Sequence, residues 1–573
     1  MRCAYLREHP NVNRRITVRK SVFLRCAIVL AAVGVAAAED RQFFLPGNLV
    51  VSRSVYDNNA NTIAVGTPLP PNCAKTTVGC GKTPATATNN GLYPSVFNNN
   101  LADGSFGITS KIFLDQVTPF GRVINTLEVP NSGQAGITSS DDQMVTSFSS
   151  KSELALHEST DGRLLTFMGY LAPLDAIDVS NSNTPWPSSS DPLNFTVDPT
   201  NPVGENVYRV VATVDGRGRF HFMKTNAYSG NNGRAAILNN LWGWNLVYMA
   251  GNAGNGANPQ PNGIILGAGA QIATMSHNPE IDQSPGVPTP AASFNVTEIN
   301  QPADKIGKDD NFRGMTIFDD ILYYTKGSGG NGVNTVYFVD TTGTACPKGV
   351  GVPSPFGTIP KTPLTFDQST LQTAGLPSNM CILAGFPTVL AKDPTATLFP
   401  FSLWFADSKT LYVADEGDGN RGTTADTLYA PAVAQKTAGL QKWVFDSGSK
   451  TWKLAYTLTA GLGIGVPYAV PTGYPTGNNA ATGLPWAPAT DGLRNITGRR
   501  NWDGTVTIWG ITSTISGSGD QGADPNKLVA ITDSLDATTL PSDEQFHALR
   551  TAGFGEVLRG VSLTPGTHLS WWW

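Results

Sequence analysis

The chain has 573 residues, of which 14% are charged, and a formal net charge of −5. With no basic stripe beyond its first segment, it is not expected to bind nucleic acid. Its 60 glycines and 40 prolines, with plentiful Asn, Ser and Thr, argue against a mainly helical protein and predict an all-β chain with long polar loops.

Arg2, Arg7, Arg14, Arg15, Arg19, Lys20 and Arg25 concentrate positive charge before residue 27. Val22 to Ala38 is apolar apart from Arg25, and Ala36-Ala37-Ala38 precedes Glu39. A basic stretch, a short apolar run and small residues in that order predict a signal peptide over 1–38, cleaved after Ala38. The apolar run is short for a membrane span. Residues 39–573 are read as one exported domain, secreted, periplasmic or extracellular.

Strands are expected at 48–56, 111–117 and 122–129, with 57–107 as a polar insertion. Residues 151–156 and 164–170 flank a turn at Asp161-Gly162, and 171–205 is a Pro-containing excursion. A hairpin follows at 207–214 and 220–224. The next unit takes 234 onward, 246–249 and 264–273, then a linker over 277–310. Further strands are expected at 313–318, 321–325 and 335–339, before an excursion over 340–398. The remaining runs are 401–405, 410–414, 439–445, 452–458, 494–497, 505–510, 527–531 and 558–563.

Several of these units open alike. Leu558-Arg559-Gly560-Val561-Ser562 has near copies in Phe312-Arg313-Gly314-Met315-Thr316 and Leu493-Arg494-Asn495-Ile496-Thr497, and a looser one at Gly233-Arg234-Ala235. Repetition of a short β unit predicts a six-bladed β-propeller; a seventh blade within 340–398 or 57–107 is the alternative. Pairing of 558–563 with a strand near 48–56 or 109–129 would close the ring and remove an exposed edge.

Leu403-Trp404-Phe405-Ala406-Asp407 followed by Leu411-Tyr412-Val413-Ala414-Asp415 resembles the blade pattern of NHL-type and gluconolactonase-like propellers. A second resemblance, to exported bacterial propeller proteins of uncharacterised activity, rests on several stretches. They are Pro46-Gly47-Asn48-Leu49-Val50-Val51, Phe113-Leu114-Asp115, Ser159-Thr160-Asp161-Gly162-Arg163-Leu164-Leu165 with Gly169-Tyr170, and the Arg-Gly blade starts. These resemblances imply fold and export; the gluconolactonase-like one also implies a divalent metal in the central channel.

Four sets of residues carry chemistry. Arg234, Arg313, Arg494 and Arg559, with Lys151, fall at the starts of inner strands. They would either ring a central funnel that binds an anion or sugar acid, or bridge neighbouring blades. Recurrence at equivalent places favours bridging. Asp407, Asp415, Glu416, Asp418 and Asn420 form an oxygen-rich run, with Asp415 and Asp418 the candidates for calcium. Its spacing is not that of an EF-hand loop, and ordinary turn chemistry is the plainer reading. Histidines at 157, 221, 277, 547 and 568 are scattered singly. Trp242 and Trp244 alternate in a strand-like run, and the other tryptophans fit packing between blades or stacking on sugars. Trp571-Trp572-Trp573 ends the chain without an evident role.

Cys73, Cys80, Cys346 and Cys381 follow the expected cleavage point. An even count in an exported chain predicts Cys73–Cys80 and Cys346–Cys381 disulfides. The expected protein is a monomer that binds a small molecule, glycan or protein outside the cytoplasm, or serves there as a scaffold. A metal-assisted lactonase or esterase-like hydrolase is the alternative.

Overall fold

The computed structural model describes residues 42–56, 107–148, 150–176, 179–182, 184, 207–225, 227–252, 269–275, 311–361, 378–480, 482–518 and 522–568, with three short strands at 68–69, 85–86 and 293–296. The expected signal peptide, Cys73, Cys80, His277, Trp186 and the three terminal tryptophans lie outside the described residues. Among the described residues no helix is long and apolar enough to cross a membrane.

Within Phe44–Trp573, the strands form the six blades of a β-propeller. The first blade, from the axis outward, is Glu556–Leu563, Leu49–Val55, Thr109–Val117 and Val123–Glu128. Its inner strand comes from the far end of the sequence. Leu49 pairs with Leu563 and Val55 with Glu556, closing the ring as expected. The second blade is His157–Glu158, Leu164–Tyr170, Arg209–Asp215 and Phe220–Thr225. The third is Gly233–Asn239, Leu246–Gly251, Ala270–Thr274 and Ser293–Val296. The fourth is Met315–Phe318, Ile321–Lys326, Thr335–Val339 and Ser378–Leu383. The fifth is Pro400–Asp407, Thr410–Asp415, Gly439–Asp446 and Thr451–Leu458. The sixth is Ala489–Arg500, Thr505–Ile515, Lys527–Ser534 and His547–Thr551.

Inner and second strands are covered on both faces by adjacent blades, and their residues read as continuous apolar runs. Leu246–Gly251 and Thr410–Asp415 are buried throughout, whereas the outer strand Val123–Glu128 is largely exposed or half-buried. Aromatic rings fill the wedge between blades four and five: Phe318 stacks on Phe405 with centroids 4.6 Å apart, and Phe386 on Trp443 at 3.9 Å.

The recurring Arg-Gly pair has a packing cause. The residue after the arginine faces the next blade at close range. A β-carbon at Gly560 would fall 2.4 Å from the Leu154 carbonyl oxygen, and one at Gly314 would fall 2.3 Å from that of Phe401. In the sixth blade the same place holds Asn495, whose amide donates to the Arg559 carbonyl at 2.8 Å. Second-strand hydroxyls tie the blades further. Ser52 Oγ donates to Leu154 O at 2.7 Å, Thr166 Oγ1 to Ala236 O at 2.5 Å and Thr325 Oγ1 to Phe401 O at 2.7 Å.

Three details differ from the expected strands. Residues 151–156 are not strand, because Leu154 takes a left-handed conformation (φ 63°), and the inner strand shortens to His157–Glu158. Trp242 and Trp244 do not share a strand face. Trp242 lies inside the 3-10 turn Leu241–Gly243, with φ 55° and 92% exposure, and Trp244 caps its end. Ser293–Val296 and Ser378–Leu383, inside two stretches read as loops, supply the outer strands of blades three and four, and Asn295 and Ser378 pair in parallel.

Candidate functional site

Both ends of the axial channel open into cavities. At the N-terminal ends of the inner strands, a chamber of about 280 Å³ is lined by Lys151, Gly327–Gly330, Phe399, Glu416–Gly419, Asp491, Arg494 and Ser513. At the C-terminal ends a wider funnel of about 500 Å³ takes residues from all six inner strands, including His157, Ile237, Phe318, Trp404, Ile496 and Leu563.

Glu416 organises the chamber. Its backbone is gripped from two sides: its N–H donates to Phe399 O at 3.0 Å and its carbonyl accepts Ser513 Oγ at 2.6 Å. Its carboxylate is split between adjoining blades, with Arg494 Nε 3.3 Å from Oε2 and Arg313 Nη2 3.6 Å from Oε1. Burial pushes the Glu416 carboxyl up, but Arg313, Lys151 and Arg494 outweigh it and hold the group below its ordinary value.

Asp491 stands beside it, in the sixth blade. The Gly419 N–H donates to Oδ2 at 2.9 Å and Gln435 Nε2 to Oδ1 at 2.8 Å. Gly417 (φ +83°) lets the turn close over this carboxyl, because a β-carbon there would lie 2.4 Å from it. Burial first, then Asp418 and Glu416, push Asp491 up to about 7.

The acidic run 415–420 therefore turns one backbone N–H, that of Gly419, onto a carboxyl, a polarity suited to an anion. Asp415 itself turns inward. It accepts the N–H groups of Phe399 and Gly417, each at 2.9 Å, and Gln441 Nε2 at 3.1 Å. Asp418 accepts from Asn420 N–H at 2.8 Å and Gln435 Nε2 at 3.0 Å. Among the described residues, the one group of three potential metal-ligating side chains is Asp340 with Cys346 and Cys381. Those cysteines are joined as a disulfide, with Cα atoms 5.9 Å apart.

The five expected funnel cations divide into two sets. Arg234 and Arg559 are drawn to neighbouring chain segments. Arg234 Nη1 donates to Asn311 Oδ1 and, at 2.7 Å, to Phe312 O; Arg559 donates through Nη2 to Phe148 O and through Nε to Ser54 Oγ at 3.1 Å. Arg313, Arg494 and Lys151 gather around Glu416. Burial lowers the pKa of Lys151, Arg234 and Arg313, and nearby cations lower each further. The Nε atoms of Arg234 and Arg313 are buried without a hydrogen-bond partner.

The opposite funnel has a different chemistry. His157 is held neutral by burial, down to about 4, and Glu158 is pushed up by burial. Glu158 Oε2 meets His568 Nε2 at 2.9 Å. Trp404, Phe405 and Phe318 form its apolar wall. Neither the Glu158–His568 pair nor the Asp491 cradle was expected from sequence. Their members lie hundreds or tens of residues apart, and the one available signal was charge balance, since clustered cations at blade starts call for a buried carboxylate.

No family model and no curated protein matches the chain. The resemblance to NHL-type and gluconolactonase-like blades thus gains no support beyond the propeller arrangement. Among solved structures, an ulvan lyase (polysaccharide lyase PL25, bound to -[GlcA(1-4)Rha3S]-) is 9% identical, covering 87% of this chain and 95% of its own, with a TM-score of 0.26. A Synechocystis apocarotenoid oxygenase is 8% identical over 78% of this chain, with a TM-score of 0.18, and this chain spans 55% of its length. Likeness at these scores carries no functional argument.

Proposed function

We propose that the protein binds a small anionic solute, a sugar acid or similar carboxylate, in the chamber lined by Lys151, Arg494 and Glu416, and that it works outside the cytoplasm. One observation carries this reading. Lys151, Arg313 and Arg494 share Glu416 as their common counter-ion, while Asp491 is pushed up to about 7 and supplies only part of a charge at neutral pH. An added anion relieves that excess of buried cation. The chamber is slightly smaller than ordinary ligand pockets of roughly 300–1,000 Å³, which favours a single sugar acid over a polymer. The Cys346–Cys381 disulfide supports an oxidising compartment.

Calorimetric titration of the purified protein with glucuronate, gluconate, sulfate and uncharged glucose tests the reading. The acids are expected to bind and glucose is not. Lys151→Met and Arg494→Met should remove binding in protein that still shows one cooperative melt. Absence of heat with every anion, in protein that melts cooperatively, overturns it.

A further inference from the structure

Between blades five and six lies a polar cluster that the channel does not use. Lys442, on Gly439–Asp446, and Asp533, on Lys527–Ser534, are wholly buried, with Nζ 3.0 Å from Oδ2. Lys442 Nζ also donates to Ser534 O at 2.6 Å and to the Tyr456 hydroxyl at 3.0 Å. The Tyr412 and Tyr456 hydroxyls donate to Asp533, and their rings stand 5.8 and 5.2 Å from Nζ. Glu544 accepts the Ser534 N–H at 2.9 Å, and its carboxyl meets that of Asp533. Its Oε2 is buried with no N–H or O–H donor. Glu544 is accordingly pushed up to about 7, by burial first and Asp533 second.

A dry site disfavours the separated charges of an ammonium and a carboxylate. Amide formation needs one proton to pass from Nζ to the carboxyl, and two adjacent blades hold the pair in direct contact for that passage. The half-buried Glu544 carboxyl stands beside them, and the pair itself is shut off from water. Those are the requirements for forming an amide.

We propose that Lys442 and Asp533 become joined by a side-chain amide bond, with Glu544 as the acid–base group. The Nζ lone pair attacks Cγ of Asp533, and the new N–C bond forms. Glu544 gives its proton to the departing oxygen, the C–O bond breaks, and water leaves. The Glu544 carboxylate then takes the surplus proton from nitrogen and ends as it began. Nothing is oxidised or reduced. The product is a covalent staple between the third strands of two neighbouring blades, which restricts the unfolded chain as a disulfide does but resists reduction.

Mass spectrometry of a tryptic digest of the denatured, reduced, full-length protein tests this. The expected result is one linked species joining 437–450, uncleaved at Lys442, to 528–550, lighter than the two peptides by one water. Glu544→Gln should yield 437–442 and 528–550 as separate peptides of full mass. Separate peptides from the wild-type protein overturn the proposal. A linked species that persists in Glu544→Gln overturns the role given to Glu544.

Discussion

Leu49 and Leu563 are direct partners in one antiparallel ladder, so the first blade is built from two distant parts of the sequence. Truncation after Gly555 removes the whole inner strand and leaves Leu49–Val55 as an uncovered edge beside the axis. Such an edge is a template for pairing between molecules. The truncated protein is expected to elute as aggregate in size-exclusion chromatography, where the intact chain elutes as a single species.

Gly560 and Gly314 occupy sites where the next blade's backbone leaves no room for a side chain. Backbone carbonyls cannot step aside as a flexible side chain does. Gly560→Ala and Gly314→Ala should each cost about 1–3 kcal/mol, the usual range for forcing extra atoms into a packed interior. Urea unfolding checks this. Gly504, whose β-carbon would meet nothing within 4 Å, is less suitable as a control because its φ is +82°; Gly330, also with open space, is the better one.

Stability should be greatest on the acid side of neutrality. Asp415 and Asp491 are raised by burial from 3.8 to about 7. Between those values the folded protein keeps protons that the unfolded chain has lost, so stability falls as pH rises towards 7. Glu416 lies below its ordinary 4.5, because Arg313, Lys151 and Arg494 outweigh burial. Its contribution is present above that value and disappears as pH falls through the folded pKa. The melting temperature should therefore peak at about pH 4, where the two opposing slopes meet, and decline from there to about 7. Asp491→Asn should flatten the decline between about pH 4 and 7, as followed by thermal melts across that range.

The Cys346–Cys381 disulfide spans 35 residues and ties the loop after Val339 to the outer strand of the fourth blade. A loop of that size corresponds to about 3–4 kcal/mol of denatured-state entropy. Cys381→Ser should lower stability by that order in urea unfolding. Non-reducing peptide maps of the wild type should show the two cysteines in one linked peptide.

Much of the blade pattern is legible in the sequence because a strand covered on both faces writes itself as an apolar run. Thr410–Asp415 and Gly439–Asp446 fall where the alternation and turn residues put them. The start of the second blade is not legible. Lys151–Leu156 has the composition of a strand, yet Leu154 turns left-handed, and its backbone meets the adjoining blades through isolated bonds such as Ser52 Oγ to Leu154 O and Ala155 N–H to Arg234 O. The repeated arginines are visible as a pattern, but their division is not. Arg313 and Arg559 both precede a glycine, and only the fold puts Glu416 against the first and the Phe148 carbonyl against the second. Glu416 reads locally as one acid in a turn, since its partner Arg494 is 78 residues away. Trp242 misleads for a related reason: alternation says nothing about a φ of 55°.

The closing register also sets an order of events. Ser54 and Val557, joined in the first blade, are 503 residues apart in sequence. Contacts of such separation carry the largest loop-closure cost and form late. As the chain emerges from the ribosome, Leu49–Val55 must wait for its inner neighbour while blades two to six are laid down. The ring thus stays an open arc, with an unsatisfied seam, until Glu556–Leu563 arrives. A nascent chain stalled short of that point would present the seam to chaperones and proteases.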